Sequence, residues 1–121
     1  MRWGGVRGGR AISWTEVTLA GVSNHAGTTP MALRHDAGLV AAEIAVMLRR
    51  LATEIGPPMV ATVGALTLRP NLVNVVANHA LLTLDLRHTD EATLKAAEAR
   101  AFAEVRALAA QEGVTAGLRT L

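Results

Sequence analysis

The order of periodicities along the chain, β-α-β-β-α-β, predicts an α+β fold: a ferredoxin-like sandwich whose four-stranded, mostly antiparallel sheet carries two helices on one face. Three observations lead there. Four stretches have the alternation or β-branched richness of strands, two longer stretches repeat apolar residues at helical spacing, and glycine or proline marks the junctions. A chain of 121 residues is long enough for one domain with a real core and too short for a second of ordinary size.

The first dozen residues, rich in glycine and arginine, read as a flexible tail or severed linker over 1–12, and the domain proper as 13–121. In "SWTEVTLAG", Thr15, Val17 and Leu19 point one way and Trp14, Glu16 and Thr18 the other, which is the period of a half-buried strand. A glycine-flanked turn, "GVSNHAGTTPM", follows. Thr29 then stands as N-cap with Pro30 at the first helical position. Leu33, Ala37, Val40, Ala41, Ile44, Leu48, Leu51 and Ile55 form the helix stripe, and Gly56 with Pro57 and Pro58 ends it. Residues 60–69 read as the second strand and "PNLVNVVANH" as a connection. In "ALLTLDLRH", Leu82, Leu84 and Leu86 face the core while Thr83, Asp85 and Arg87 share the other face. A second helix starts near Asp90, carries the stripe Leu94, Ala97, Ala101, Val105 and Leu108, and stops at Gly113; "VTAGLRTL" closes the sheet. One face of such a sheet lacks helices and is left for solvent or another domain. An open edge beside an alanine-rich helix favours pairing with a second copy.

Composition excludes several classes. Without cysteine there are no disulfides and no thiolate chemistry, which fits a reducing cytoplasm. No apolar run approaches the roughly 20 residues that span a bilayer, so no membrane partner is expected. The predicted pI of 10.4 coexists with a net charge of only +2, because no tyrosine or cysteine titrates between neutrality and the lysine range. The arginines are scattered and the strands lack stacking aromatics, so nucleic acid is not an expected partner.

Catalytic groups are few. His25, His35, His79 and His88 form no metal-binding pair at helical spacing, there is no "HExxH", and Ser23 stands outside any nucleophile elbow. No metal site is expected within this chain. A polar trio remains: His25 in the first turn, Asn74 in the connection and Arg87 at the end of the third strand. Structural readings stay open for them, with Asn74 closing a turn and Arg87 paired to Asp85 or Glu16. Asp36 is similarly open to pairing with Arg34.

The segments "GVSNHAGTTPMALRHDAG" and "VATVGALTLRPNLVNVVANHALLTLDLRHTDE" resemble the dimerisation (lid) domain of the zinc-dependent amidohydrolases that include N-carbamoyl-L-amino-acid hydrolase, β-ureidopropionase and allantoate amidohydrolase, within the aminoacylase and carboxypeptidase metallopeptidase superfamily. The likeness runs over residues 13–121 and rests on "NHAGTTPM", "RHDA", "TVG" and "PNLVNVV" followed by "LDLR". The chain departs from the family pattern at "VVANHA", where many members carry a Pro-Gly turn.

The resemblance implies a homodimer formed through a sheet edge and a helix, a catalytic domain that is missing from this chain, and two zinc ions bound there in the full-length enzyme. It implies a small ureido or amide acid as substrate. His25 would reach into the partner subunit's site and stabilise an oxyanion, Asn74 and Arg87 would bind substrate in the same closed site, and Gly27, Thr28 and Thr29 would support the histidine turn. The alternative is a stand-alone ferredoxin-like module for protein interaction or small-ligand binding, without catalytic activity.

Overall fold

The computed structural model describes residues 2–3, by backbone alone, and residues 10–121. The sheet is built on two central strands, β2 (Ala11–Ala20) and β4 (His79–His88), paired antiparallel from Ala11 opposite His88 to Ala20 opposite His79. β3 (Val60–Arg69) adds to the other side of β4. The remaining edge of β2 is shared by β1 (Arg2–Trp3), opposite Ser13 and Ile12, and β5 (Thr115–Thr120), opposite residues 15–20. Every pairing is antiparallel, and the order β5-β2-β4-β3 is that of the predicted sandwich.

Two helices, α1 (Ala37–Ile55) and α2 (Glu91–Glu112), cover one face. Alternation along β2 and β4 sends Val17, Leu19, Leu82, Leu84 and Leu86 inward, where they meet Val40, Ile44, Leu48 and Leu51 of α1 and Leu94 and Val105 of α2. A fully buried leucine contributes roughly 2 kcal/mol relative to an exposed one, so these side chains dominate the stability of the fold. Alanines at 37, 41, 97, 101 and 109 are buried too, and their small size brings helices and sheet close together. A buried polar contact joins the layers: the Ser13 hydroxyl of β2 donates to the Glu98 carboxylate of α2, both residues being buried.

The expected tail over residues 1–12 falls mostly on residues outside the description. Its described part differs from expectation, for β2 begins at Ala11 and not at Ser13. Ala11 continues the inward alternation, is buried, and pairs with His88. The start of the first helix also moves. Met31–Leu33 form a separate 3-10 turn and α1 begins only at Ala37, where the Asp36 carboxylate accepts from the Gly38 and Leu39 N–H groups. Thr29 therefore caps no long helix, and Leu33, read as part of the stripe, is exposed. On α2 the innermost position of the last turn is Ala109, with Leu108 only half-buried against the core.

Three consecutive residues fasten the approach to α1. Arg34 bonds to the preceding turn, the His35 ring donates from Nδ1 to the Glu112 carbonyl at 3.0 Å, and Asp36 caps α1 while its own N–H donates to the Glu112 side chain at 3.1 Å. The start of α1 is thus tied to the end of α2. Gly21 is obligatory beside this knot, because a Cβ there would lie 2.1 Å from the His35 carbonyl oxygen. At the C-terminus of α2, Gly113 takes φ 68°, the left-handed conformation that suits glycine, and its N–H closes the last turn. At the opposite end of α2, the Thr93 hydroxyl and N–H donate to Asp90 and hold its carboxyl below the ordinary value. A lowered carboxyl stabilises the fold fully above its unfolded value and loses that contribution as pH falls through the folded one.

The position of the cap is testable. Asp36→Ala should lower unfolding stability by about 1 kcal/mol in urea titrations, as loss of an N-cap does, whereas Thr29→Ala should cost much less. The reverse ranking would return the helix start to Thr29.

Candidate functional site

Beyond the sheet the two central strands keep company. Gly21 donates to the Asn78 carbonyl at 2.9 Å, Val76 to Asn24 at 2.9 Å, and Ala26 to Asn74 at 2.9 Å, while His25 forms an antiparallel bridge with Val75. The pairing that puts Ala20 opposite His79 thus resumes, one residue out of step, at His25 and Val75. Consequently His25 and Asn74, 49 positions apart in sequence (74 − 25), sit side by side on a corner held by the core strands. Both residues are exposed. A polar group on a loop anchored to a rigid scaffold is the common arrangement for binding or catalysis.

The local chemistry of this corner is specific. The Gly27 N–H donates to His25 Nδ1 at 3.0 Å, so in the neutral imidazole the ring hydrogen resides on Nε2. No described residue takes up Nε2, which leaves one N–H donor on this exposed turn. The turn closes on itself through Thr28 and Thr29, whose N–H groups donate to the His25 carbonyl at 3.4 and 3.1 Å. Gly27 matters for space: a Cβ would stand 3.1 Å from the ring's Cε1 and 3.3 Å from Nδ1. The contacts that Gly27, Thr28 and Thr29 make within this turn are backbone ones.

Arg87 does not join this corner within one chain. It lies on the uncovered face of β4, opposite Ile12 and Val60, eight residues along the strand from His79 (87 − 79) and so roughly 26 Å from the His25 end. A single copy therefore does not bring Asn74 and Arg87 together. Of the two partners read from sequence, Arg87 has taken Asp85: Nε donates to Oδ1 and Nη2 to Oδ2, both at 3.0 Å. Residues two apart on a strand share a face, which places both groups for this side-on contact. Hydrogen bonding to Asp85, and then its charge, raise the Arg87 pKa above its ordinary value. Glu16 pairs instead with Arg119 at 3.0 Å.

Near Arg87 the uncovered face holds a cavity of about 220 Å³ lined by Trp14, Thr62, Gly64, Thr83, Asp85 and Leu121. A β-bulge shapes its rim, since pairing slips between Val63 and Leu66 and the freed Ala65 N–H donates to the Thr83 hydroxyl at 3.0 Å. Among the described residues no group of three or more His, Cys, Asp or Glu is placed to hold a metal, and no helix is long and apolar enough to cross a membrane. What these two regions offer chemically is hydrogen-bond donors at the His25 turn and the Arg87 cation on the uncovered face. Sequence reasoning offered Arg34 only as a partner for Asp36 and missed its place at the turn, where its partners are the Ala26 and Thr29 carbonyls.

No family model matches the chain. Curated relatives do. Over 79 residues it is 47% identical to the allantoate amidohydrolase of Escherichia coli (strain K12), covering 65% of this chain and 19% of that one. Over 105 residues it is 37% identical to the N-carbamoyl-L-amino-acid amidohydrolase of Rhizobium meliloti, covering 87% of this chain and 25% of the relative. Among solved structures, a hydantoinase/carbamoylase family amidase from Burkholderia multivorans superposes with a TM-score of 0.92 at 34% identity, over 93% of this chain and 28% of that one. The chain spans about a fifth to a quarter of the length of the curated relatives it matches.

The Asp85–Arg87 pair is half-exposed, and exposed ion pairs contribute little to folding. Arg87→Ala and Asp85→Ala should accordingly leave the thermal midpoint almost unchanged. A large loss of stability in either would make the pair structural and count against Arg87 as a group available to ligand.

Proposed function

We propose that this chain, one domain-sized segment belonging to the family of allantoate and N-carbamoyl-L-amino-acid amidohydrolases, is the dimerisation and substrate-binding lid of such a hydrolase. Its substrates are N-carbamoyl-L-amino acids or allantoate-like ureido acids. One observation carries the reading: the His25 ring has Nδ1 occupied by the Gly27 N–H and Nε2–H left free, on an exposed corner whose backbone is bonded to that of Asn74.

Hydrolysis of an amide or ureido bond moves negative charge onto the former carbonyl oxygen. A fixed imidazole N–H from His25, assisted by the Asn74 carboxamide, stabilises that charge in a site closed to water. Arg87 recognises the substrate carboxylate. Asp85 occupies the Nε side of its guanidinium, and the Nη1–Nη2 edge remains for a second carboxylate in the bidentate manner that lysine lacks.

The roughly 26 Å along β4 between Arg87 and the strand end from which the His25 turn leaves requires that their shared site be assembled from more than one copy or domain. In this reading a homodimer forms along the exposed edge of β3 and the flank of α1, where Val60, Leu66 and Val46 lie open, and His25 enters the partner's site. The full-length enzyme, cytoplasmic in this reading, carries two zinc ions on a catalytic domain outside these residues. The described residues hold no donor set that fits such ions. The same separation of Arg87 from His25 favours one other reading, a stand-alone binding module in which the corner is merely structural.

In the intact enzyme, His25→Ala should lower kcat about 100-fold or more while the protein stays folded. Near-normal turnover would remove the role of His25 and favour the stand-alone module. Arg87→Lys should erode the preference for a substrate carboxylate over the corresponding amide, read from KM for the two forms. An unchanged preference would take Arg87 out of substrate recognition.

A further inference from the structure

Arg34 contacts the histidine turn at both of its ends. Its Nη2 donates to the Ala26 carbonyl at 2.7 Å and to the Thr29 carbonyl at 3.1 Å, and its Nε adds a bond to Thr29 at 3.2 Å. Ala26 and Thr29 bracket Gly27, whose N–H fixes His25 Nδ1. We propose that Arg34 is a positioning residue for His25: by clamping these two carbonyls it holds the Gly27 N–H on the ring, and so sets which imidazole nitrogen is presented as donor.

Three features support this assignment. The side chain is partly buried and directed at the backbone, with no carboxylate partner among the described residues, so its charge is spent on main-chain oxygens. A planar guanidinium spans two carbonyls with donors fixed relative to one another, which a flexible ammonium does not reproduce. The clearance at the ring is small as well, since a Cβ on Gly27 would approach Cε1 to 3.1 Å, so a modest shift of the turn displaces the imidazole from its acceptor geometry. Arg34 is also joined in sequence to His35 and Asp36, which are bound to the helix ends, and the clamp is thereby referenced to the core.

The importance of the clamp for catalysis rests on the proposed function, but the clamp itself is read in this chain alone. The experiment is nitrogen-15 NMR of the ring nitrogens of His25 in the 121-residue chain, at mildly alkaline pH where an ordinary imidazole is neutral. The wild-type ring should show one protonated nitrogen, Nε2, and one acceptor nitrogen, Nδ1, at well-separated shifts. In Arg34→Gln the two shifts should move toward each other as the tautomers mix, while amide signals of β2 and β4 stay in place. Should that variant fail to fold, Arg34→Lys keeps the charge and should also lose the separation. A folded variant at position 34 that retains the Nε2–H pattern overturns the proposal, as does a wild-type ring protonated at Nδ1. Averaged shifts in the variants combined with normal turnover of His25→Ala in the intact enzyme would sink the functional reading and leave the clamp standing.

Discussion

The antiparallel pairing of β2 with β4 is the constraint on which the rest of this molecule depends. Its register, running from Ala11 opposite His88 to Ala20 opposite His79, puts every second residue of both strands under the helices. A slip of one residue would turn either Val17 and Leu19 or Leu82, Leu84 and Leu86 to the uncovered face, and bring Trp14 and Glu16 or Arg87 toward the core. The same pairing continues past the sheet to His25 and Val75, so the most hydrophobic part of the fold also sets where the polar corner stands.

Two polar regions result, and they are far apart. At one end of the central strands an imidazole and a carboxamide face outward; near the other, on the helix-free face, a guanidinium is steadied by Asp85 beside a small cavity walled by Trp14 and Leu121. Neither region contains an activated nucleophile or a metal cluster among the described residues. The proposed lid function accounts for both: donors wait at one end, a carboxylate-binding cation lies near the other, and the reacting centre belongs to polypeptide that closes over them. It also gives a use to the exposed edge of β3, which in an isolated domain is an invitation to pair.

Much of the fold was legible in the sequence because it is local in origin. Alternation in "SWTEVTLAG" and "ALLTLDLRH" depends only on the strand period, and Gly56 and Gly113 end helices by their own backbone preferences. The start of α1 was misread because Thr29–Pro30 has the chemistry of a helix start, whereas the winning cap, Asp36, is supported by Glu112 from 76 residues away. Contacts of that kind leave no periodic trace, and the buried Ser13–Glu98 pair, which a helical pattern reads as one more surface acid, is another. Within the candidate site, His25 stood out as a histidine in a glycine-flanked turn. Its adjacency to Asn74, its distance from Arg87 and the clamp by Arg34 depend on register and on backbone carbonyls, which side-chain types do not encode.

The central claim is that this domain lends binding and oxyanion-stabilising groups to a hydrolysis whose machinery lies elsewhere. The most direct measurement incubates the purified 121-residue chain with zinc and either allantoate or an N-carbamoyl-L-amino acid, and follows release of ammonia or of the free amino acid. The account predicts no hydrolysis above the rate of zinc and buffer alone. Turnover by this chain, abolished by a chelator, would contradict it.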